Sequence, residues 1–129
     1  MSTYVLDTHA LVWYLADDPR LGSRADAIFG DPDVILVIPA IVLAEIKDLA
    51  HKGRFAQTLE DVLAVIGSDP RCLVHPIDLD VVTKAPVLLD IHDSLVVGVA
   101  LALAQTMPVD GVITRDQAIV DSGLVPVIW

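Results

Sequence analysis

The chain has 129 residues, 54% of them apolar, and a formal net charge of −10 from 18 acids and 8 bases. That length and apolar content suit one ordinary domain, residues 1–129, with a real core, and they leave no room for a Ser/Gly linker, a low-complexity tract or a repeat. The charge argues against a protein that holds nucleic acid on a broad basic surface. The only cysteine, Cys72, has no internal partner, which fits a reducing compartment. The N-terminus shows no basic leader, and the longest apolar run, Leu95–Ala104, is about half of what a bilayer requires. A cytoplasmic protein is expected, with no membrane association.

Taken in chain order, Tyr4-Val5-Leu6 reads as a short strand, followed by a helix with Leu11, Tyr14 and Leu15 on one face. Pro19 and Gly22 interrupt it, and Ser23 is placed to cap a second helix ending at Gly30. Val34–Ile38 is a continuous apolar run, the signature of a strand covered on both faces. Pro39 ends that strand, and a helix carrying Val42, Ile46 and Leu49 runs to Gly53. Thr58 opens an amphipathic helix through Leu59, Val62, Leu63 and Ile66. Cys72-Leu73-Val74 is a third strand, stopped by Pro76. A short helix around Leu79–Lys84 leads to a long apolar helix capped by Asp93. Gly111–Ile113 forms a fourth strand, Gln117–Asp121 a short helix and Val125–Ile128 a fifth strand. The order βαα, βαα, βαα, βα, β predicts a parallel five-stranded sheet in a three-layer α/β/α sandwich.

Four acids then stand out. Asp7 follows the first strand, Glu45 interrupts the apolar stripe of the third helix, Asp93 opens the long helix and Asp116 follows the fourth strand. A carboxylate in apolar sequence is costly unless something cationic compensates it. In open parallel sheets, sites form beyond the carboxyl ends of the strands, where strand order reverses. If strands one and four are neighbours there, Asp7 and Asp116 meet. Asp110, at the start of the fourth strand, lies at the opposite edge and is excluded. Acids gathered from distant positions without basic partners point to a divalent metal, and hard ions such as Mg²⁺ or Mn²⁺ prefer such oxygen ligands. Capping and turn roles are the plainer alternative for Asp7, Asp93 and Asp116 taken singly.

These segments resemble the PIN domain family, specifically the VapC-like toxins of bacterial toxin–antitoxin modules. The resemblance runs from Tyr4-Val5-Leu6-Asp7-Thr8-His9-Ala10-Leu11-Val12-Trp13 through Ile38-Pro39-Ala40 and Glu45-Ile46. It continues in His92-Asp93-Ser94-Leu95-Val96-Val97-Gly98 and Val112-Ile113-Thr114-Arg115-Asp116, and closes at Val125–Trp129. It implies a metal-dependent endoribonuclease whose acidic quartet is Asp7, Glu45, Asp93 and Asp116. Asp7 and Asp93 would be the most direct ligands of Mg²⁺ or Mn²⁺, with Glu45 and Asp116 completing the site directly or through water. It implies an RNA substrate, a small antitoxin covering the acidic pocket and a homodimer. Thr114 matches a hydroxyl position that supports the last acid. Two positions depart from the pattern: no aromatic residue precedes Glu45, and Ser94 stands where a positive residue commonly follows the third acid.

Other constellations carry less. His9, His51, His75 and His92 lack zinc spacing, and His9 and His92 are accessory at most. Ser94 and Ser122 lack a nucleophile-elbow context. The cluster Lys47, Lys52 and Arg54 reads equally as a solvated helix end or as a phosphate contact. Trp13, Tyr14 and Trp129 read as packing or interface residues. A phosphoacceptor receiver domain would need an acceptor Asp after strand three, where this chain has His75-Pro76. A PIN-like housekeeping nuclease and a catalytically silent PIN-fold binding module remain alternatives to the toxin.

Overall fold

A computed structural model describes residues 1–129. Five strands and seven helices alternate along the chain: β1 (Thr3–Leu6), α1 (Thr8–Leu15), α2 (Ser23–Phe29), β2 (Ile35–Pro39), α3 (Ala40–His51), α4 (Leu59–Ser68), β3 (Cys72–His75), α5 (Leu79–Lys84), α6 (Ile91–Leu103), β4 (Gly111–Ile113), α7 (Gln117–Ser122) and β5 (Val127–Ile128). The sheet order is β3-β2-β1-β4-β5 and every pairing is parallel. Strand order therefore reverses between β1 and β4, with Val5 opposite Val112 and Leu6 opposite Ile113.

Consecutive residues of β2 and β4 are buried without alternation. A strand shows that pattern only when helices cover both of its faces, so the expected three-layer α/β/α sandwich is what forms. The outer strand β3 is different: Leu73 and Val74 are about half exposed, as an edge position allows. Helix α6 is buried almost throughout from Ser94 to Ala102, which makes it the core helix its composition predicts. No helix is long and apolar enough to cross a membrane.

Local details differ from the sequence reading in instructive ways. Helix α1 is buried around most of its circumference at Ala10, Leu11, Val12 and Trp13, and Tyr14 and Leu15 are only half-buried. Tyr14 instead stacks on Phe29 at 4.1 Å, joining α1 to α2. Ser23 is the first helical residue of α2, and the cap is Gly22, which offers no side-chain bond. Pro39 is the last residue of β2, in register with His75 of β3, and a terminal strand position tolerates its missing N–H. The terminal strand is shorter than expected, Val127–Ile128. Asp93 is not the cap of α6: Asp90 is, accepting hydrogen bonds from the His92 and Asp93 amides at 3.1 Å each. Asp93 therefore sits within the first turn of the helix.

The edge of the sheet is fastened by Arg71. Its guanidinium donates to the carbonyls of Phe29 and Asp31 (2.6 and 2.8 Å) and to the Asp69 carboxylate (2.9 Å), tying the end of α2 to the start of β3.

Helix packing depends on one close approach. A Cβ added at Gly98 of α6 would lie 2.8 Å from the Val81 carbonyl oxygen and 3.2 Å from Cα and Cβ of Ala85, so α5 sits directly against the α6 backbone. Gly98→Ala should cost about 1–3 kcal/mol through this overpacking. Gly67→Ala on α4, where a Cβ meets nothing within 4 Å, should be neutral or gain up to about 1 kcal/mol. Urea unfolding of the two variants checks the contrast.

Candidate active site

The site is built outward from the β1/β4 junction. The amide of Asp7 donates to the Ile113 carbonyl at 3.1 Å, so the first residue beyond β1 is held against the end of β4. Asp7 is 8% exposed and Thr114 1%. The Thr114 hydroxyl donates to Asp7 Oδ2 at 2.6 Å and accepts from the Asp116 amide at 3.0 Å. One buried hydroxyl thus links the first acid to the backbone of the last. Asp7 Oδ1 accepts from the Thr8 amide at 2.7 Å, capping α1.

Glu45 lies in the second turn of α3, where its side chain reaches across to α1: the Thr8 hydroxyl donates to Oε1 at 2.9 Å. His92 Nδ1 stands 3.9 Å from Oε2 of the same glutamate. Asp116 caps α7, its Oδ1 accepting from Ala118 (2.9 Å) and Ile119 (3.3 Å). Asp93 accepts a hydrogen bond from no backbone amide, lysine or arginine, and none of the four acids has a lysine or arginine within ion-pair distance. Asp110 occupies the far end of β4, bonding the Thr3 amide at 2.8 Å, and takes no part.

All four acids line one cavity of about 480 Å³. Its other walls come from Thr8, His9, Ala10, Trp13, Arg20, Asp90, His92, Thr114, Arg115 and Trp129. Lys47, Lys52 and Arg54 are not among them, and Lys52 is paired with Asp48 at 2.8 Å. Ser94 is absent too: it is buried, and its hydroxyl donates to the Pro86 carbonyl at 2.6 Å.

The electrostatics follow from the crowding. Burial raises the Asp7 carboxyl above its usual range, opposed by the hydrogen bonds from Thr114 and Thr8. Asp93 is pushed up to about 7, first by burial and then by the charges of Asp116, Asp90 and Asp7. Like charges that crowd without a basic counterpart favour either protonation or a cation.

No three carboxylate, imidazole or thiolate ligands are drawn closely enough together to enclose an ion directly. The donor set nonetheless fits a hard divalent ion: it is oxygen-rich, thiol-free and short of positive charge. Mg²⁺ retains several waters and is commonly held by one or two carboxylates, so a tight protein cage is not required.

Among the lining residues, the sequence marks neither Asp90 nor Arg20 as part of the site, and it reads His9 as accessory and Trp13 as a packing or interface residue. Asp90 carried a usable signal, an acid three residues before Asp93 in the spacing of a helix cap. Trp13 and His9 are four apart on α1 and pack together at 5.2 Å, which places both toward the same wall. Nothing local to Arg20 marked it, because it arrives from the loop after α1.

The PIN domain family model matches residues 4–121. Among solved structures, a chain of the VapBC2 complex from Rickettsia felis, crystallised with a promoter DNA fragment, superposes with a TM-score of 0.71 at 14% identity, covering 98% of this chain and 97% of that one. VapC20 from Mycobacterium tuberculosis, described as a sarcin–ricin-loop-cleaving toxin, gives a TM-score of 0.62 at 18% identity, covering 93% and 95%. No curated protein sequence matches significantly. Both likenesses extend over nearly the whole chain and show a shared fold; the family match over residues 4–121 shows that this protein belongs to the PIN domain family.

Proposed function

We propose that the protein is a metal-dependent endoribonuclease that serves as the toxin of a toxin–antitoxin pair. The observation that carries this reading is the cavity itself: Asp7, Glu45, Asp93 and Asp116, drawn from four separate segments, face one space without a lysine or arginine paired to any of them. Family membership supports the nuclease class, and the fold shared with a toxin described as cleaving the sarcin–ricin loop supports RNA as the substrate. Asp7 and Asp93 would hold Mg²⁺ or Mn²⁺ most directly, with Glu45 and Asp116 completing the site. The bound ion would supply charge neutralisation for the phosphodiester and a lowered pKa for water.

The chain's own residues supply the rest. Thr114 fixes the Asp7 carboxylate in a single orientation and ties it to the Asp116 loop. Thr8 does the same for Glu45. Burial and the neighbouring carboxylates push the Asp93 carboxyl up to about 7, so a cation held beside it would favour its ionised form. A small antitoxin that places an arginine or lysine among the carboxylates would block the same cavity. The VapBC2 structure contains toxin–antitoxin components together with DNA, which supports a partner of that kind for this chain. A homodimer in the cytoplasm completes the reading.

Asp7→Asn should lower RNA cleavage by at least about a hundredfold, and Thr114→Val, which removes only a supporting hydrogen bond, by about 10–100-fold. Gel assays with Mg²⁺, Mn²⁺ or a chelator check both, and equal cleavage by wild type and Asp7→Asn defeats the nuclease reading. Unpartnered expression should arrest growth, and Asp93→Asn should relieve the arrest. Harmless expression of the folded wild type would point to a housekeeping nuclease.

Asp93 also yields a test that needs no substrate. Its folded-state pKa is raised from 3.8 to about 7, so the native protein binds the proton more tightly than the unfolded chain. Stability is therefore lost as pH rises across that window and stays reduced above it. Asp93→Asn lacks this loss, so it should unfold at a higher temperature than wild type above neutral pH, with the advantage shrinking toward pH 4. Added Mn²⁺ should narrow the gap by stabilising the wild type, by about 2.7 kcal/mol at a hundredfold excess over Kd. Thermal unfolding at several pH values, with and without Mn²⁺, reads both effects.

A further inference from the structure

We propose that Arg115 grips a backbone phosphate of the RNA beside the one that is cut; this rests on the nuclease reading above. The acidic cavity poses a problem of its own. A polyanion must enter a space lined by five carboxylates, on a chain whose net charge is −10. Metal ions would balance the charge where the bond breaks, but the flanking phosphates still need a positive contact. The lining offers two arginines, and they are not equivalent.

Arg20 is already engaged. Its Nε and Nη2 donate to the two oxygens of Asp18 at 3.1 and 2.8 Å, and that contact holds the Asp18 carboxyl down at about 2. Arg115 has no side-chain hydrogen bond and no acid within ion-pair distance, although Asp116 is its neighbour in sequence. Its guanidinium carbon instead lies 4.4 Å from the centre of the Trp13 ring and 6.0 Å from that of Trp129. The two indoles brace each other edge-to-face at 5.6 Å, and Trp13 is buried.

This arrangement determines what Arg115 can do. Contact with an indole face restrains a guanidinium while leaving its N–H donors unspent. A planar fork with free donors, pre-oriented by an aromatic wall, matches the two-oxygen geometry of a phosphodiester. Asp116, the next residue, is fixed by the Thr114 hydroxyl and by its capping bonds to α7. The anchor and the acidic cluster are therefore held in one short segment, and a phosphate on Arg115 would set the register of its neighbour over the carboxylates. Arg115 would bind substrate without taking part in bond cleavage.

Filter binding of a radiolabelled, mixed-sequence single-stranded RNA, with Ca²⁺ replacing Mg²⁺ and across a range of salt concentrations, tests this directly. Arg115→Ala should weaken binding about tenfold and reduce the slope of log K against log salt by about 0.7, the value for one single-strand phosphate contact. Arg115→Lys should keep the slope but recover only part of the affinity, because a point charge replaces the braced fork. Arg24→Ala, an exposed arginine outside the cavity, should match wild type. In cleavage assays with Mg²⁺, Arg115→Ala should raise KM and leave kcat nearly unchanged. Arg115 is exposed, so unchanged melting temperatures are expected; were the alanine variant unfolded, the slope and affinity of Arg115→Lys would decide. Wild-type affinity and slope in Arg115→Ala, with Asp7→Asn still inactive, overturns the phosphate anchor and leaves the nuclease standing. Wild-type cleavage by Asp7→Asn overturns the nuclease reading and the anchor with it.

Discussion

Everything in the site depends on β1 and β4 lying side by side and parallel at the point where strand order reverses. Residues from opposite ends of the chain meet there because the register sets Leu6 against Ile113, which brings Asp7 and Thr114 to the same edge one residue later. A one-residue slip in that register would turn every side chain of the shifted strand to the opposite face of the sheet, and the 2.6 Å contact between the Thr114 hydroxyl and Asp7 would be lost. The buried, branched residues of the two strands hold the register, so the hydrophobic core and the acidic cavity are maintained by the same pairing.

That coupling has an energetic side. Asp7 is a buried carboxylate, an arrangement that opposes folding unless hydrogen bonds or a cation compensate it. Here two hydrogen bonds offset part of the cost, and burial with the charges around it pushes the Asp93 carboxyl up to about 7. The cavity is the least comfortable part of the molecule, surrounded by a core that contains few other buried polar groups. Strain of this kind concentrates where charge is to be handled.

Much of the fold was legible because its signals are local and redundant. Continuous apolar runs marked the inner strands, Pro and Gly marked most boundaries, and the βα alternation left a parallel sheet as the simplest arrangement. The misreadings have specific causes. Asp93 reads as a cap because Asp favours that position; Asp90, three residues earlier, satisfies the same preference and receives the amides. Periodicity places Tyr14 inward, yet α2 beside α1 gives it Phe29 as a lateral partner. The four acids could be proposed as one group from strand-end positions and family resemblance. The opposite wall could not, because Arg20, Trp13, Arg115 and Trp129 are joined only by tertiary packing.

Gly22 and Trp129 show how far that packing extends. A Cβ at Gly22 would fall 2.4 Å from the Trp129 carbonyl carbon, so only a bare backbone there lets the indole of Trp129 settle beside Trp13. The chain has two tryptophans, and both line the cavity. Intrinsic indole emission is therefore a built-in optical probe of this one region: excitation of the unlabelled protein interrogates the mouth of the acidic pocket directly, and any ion, inhibitor or nucleotide entering it does so within sight of both chromophores.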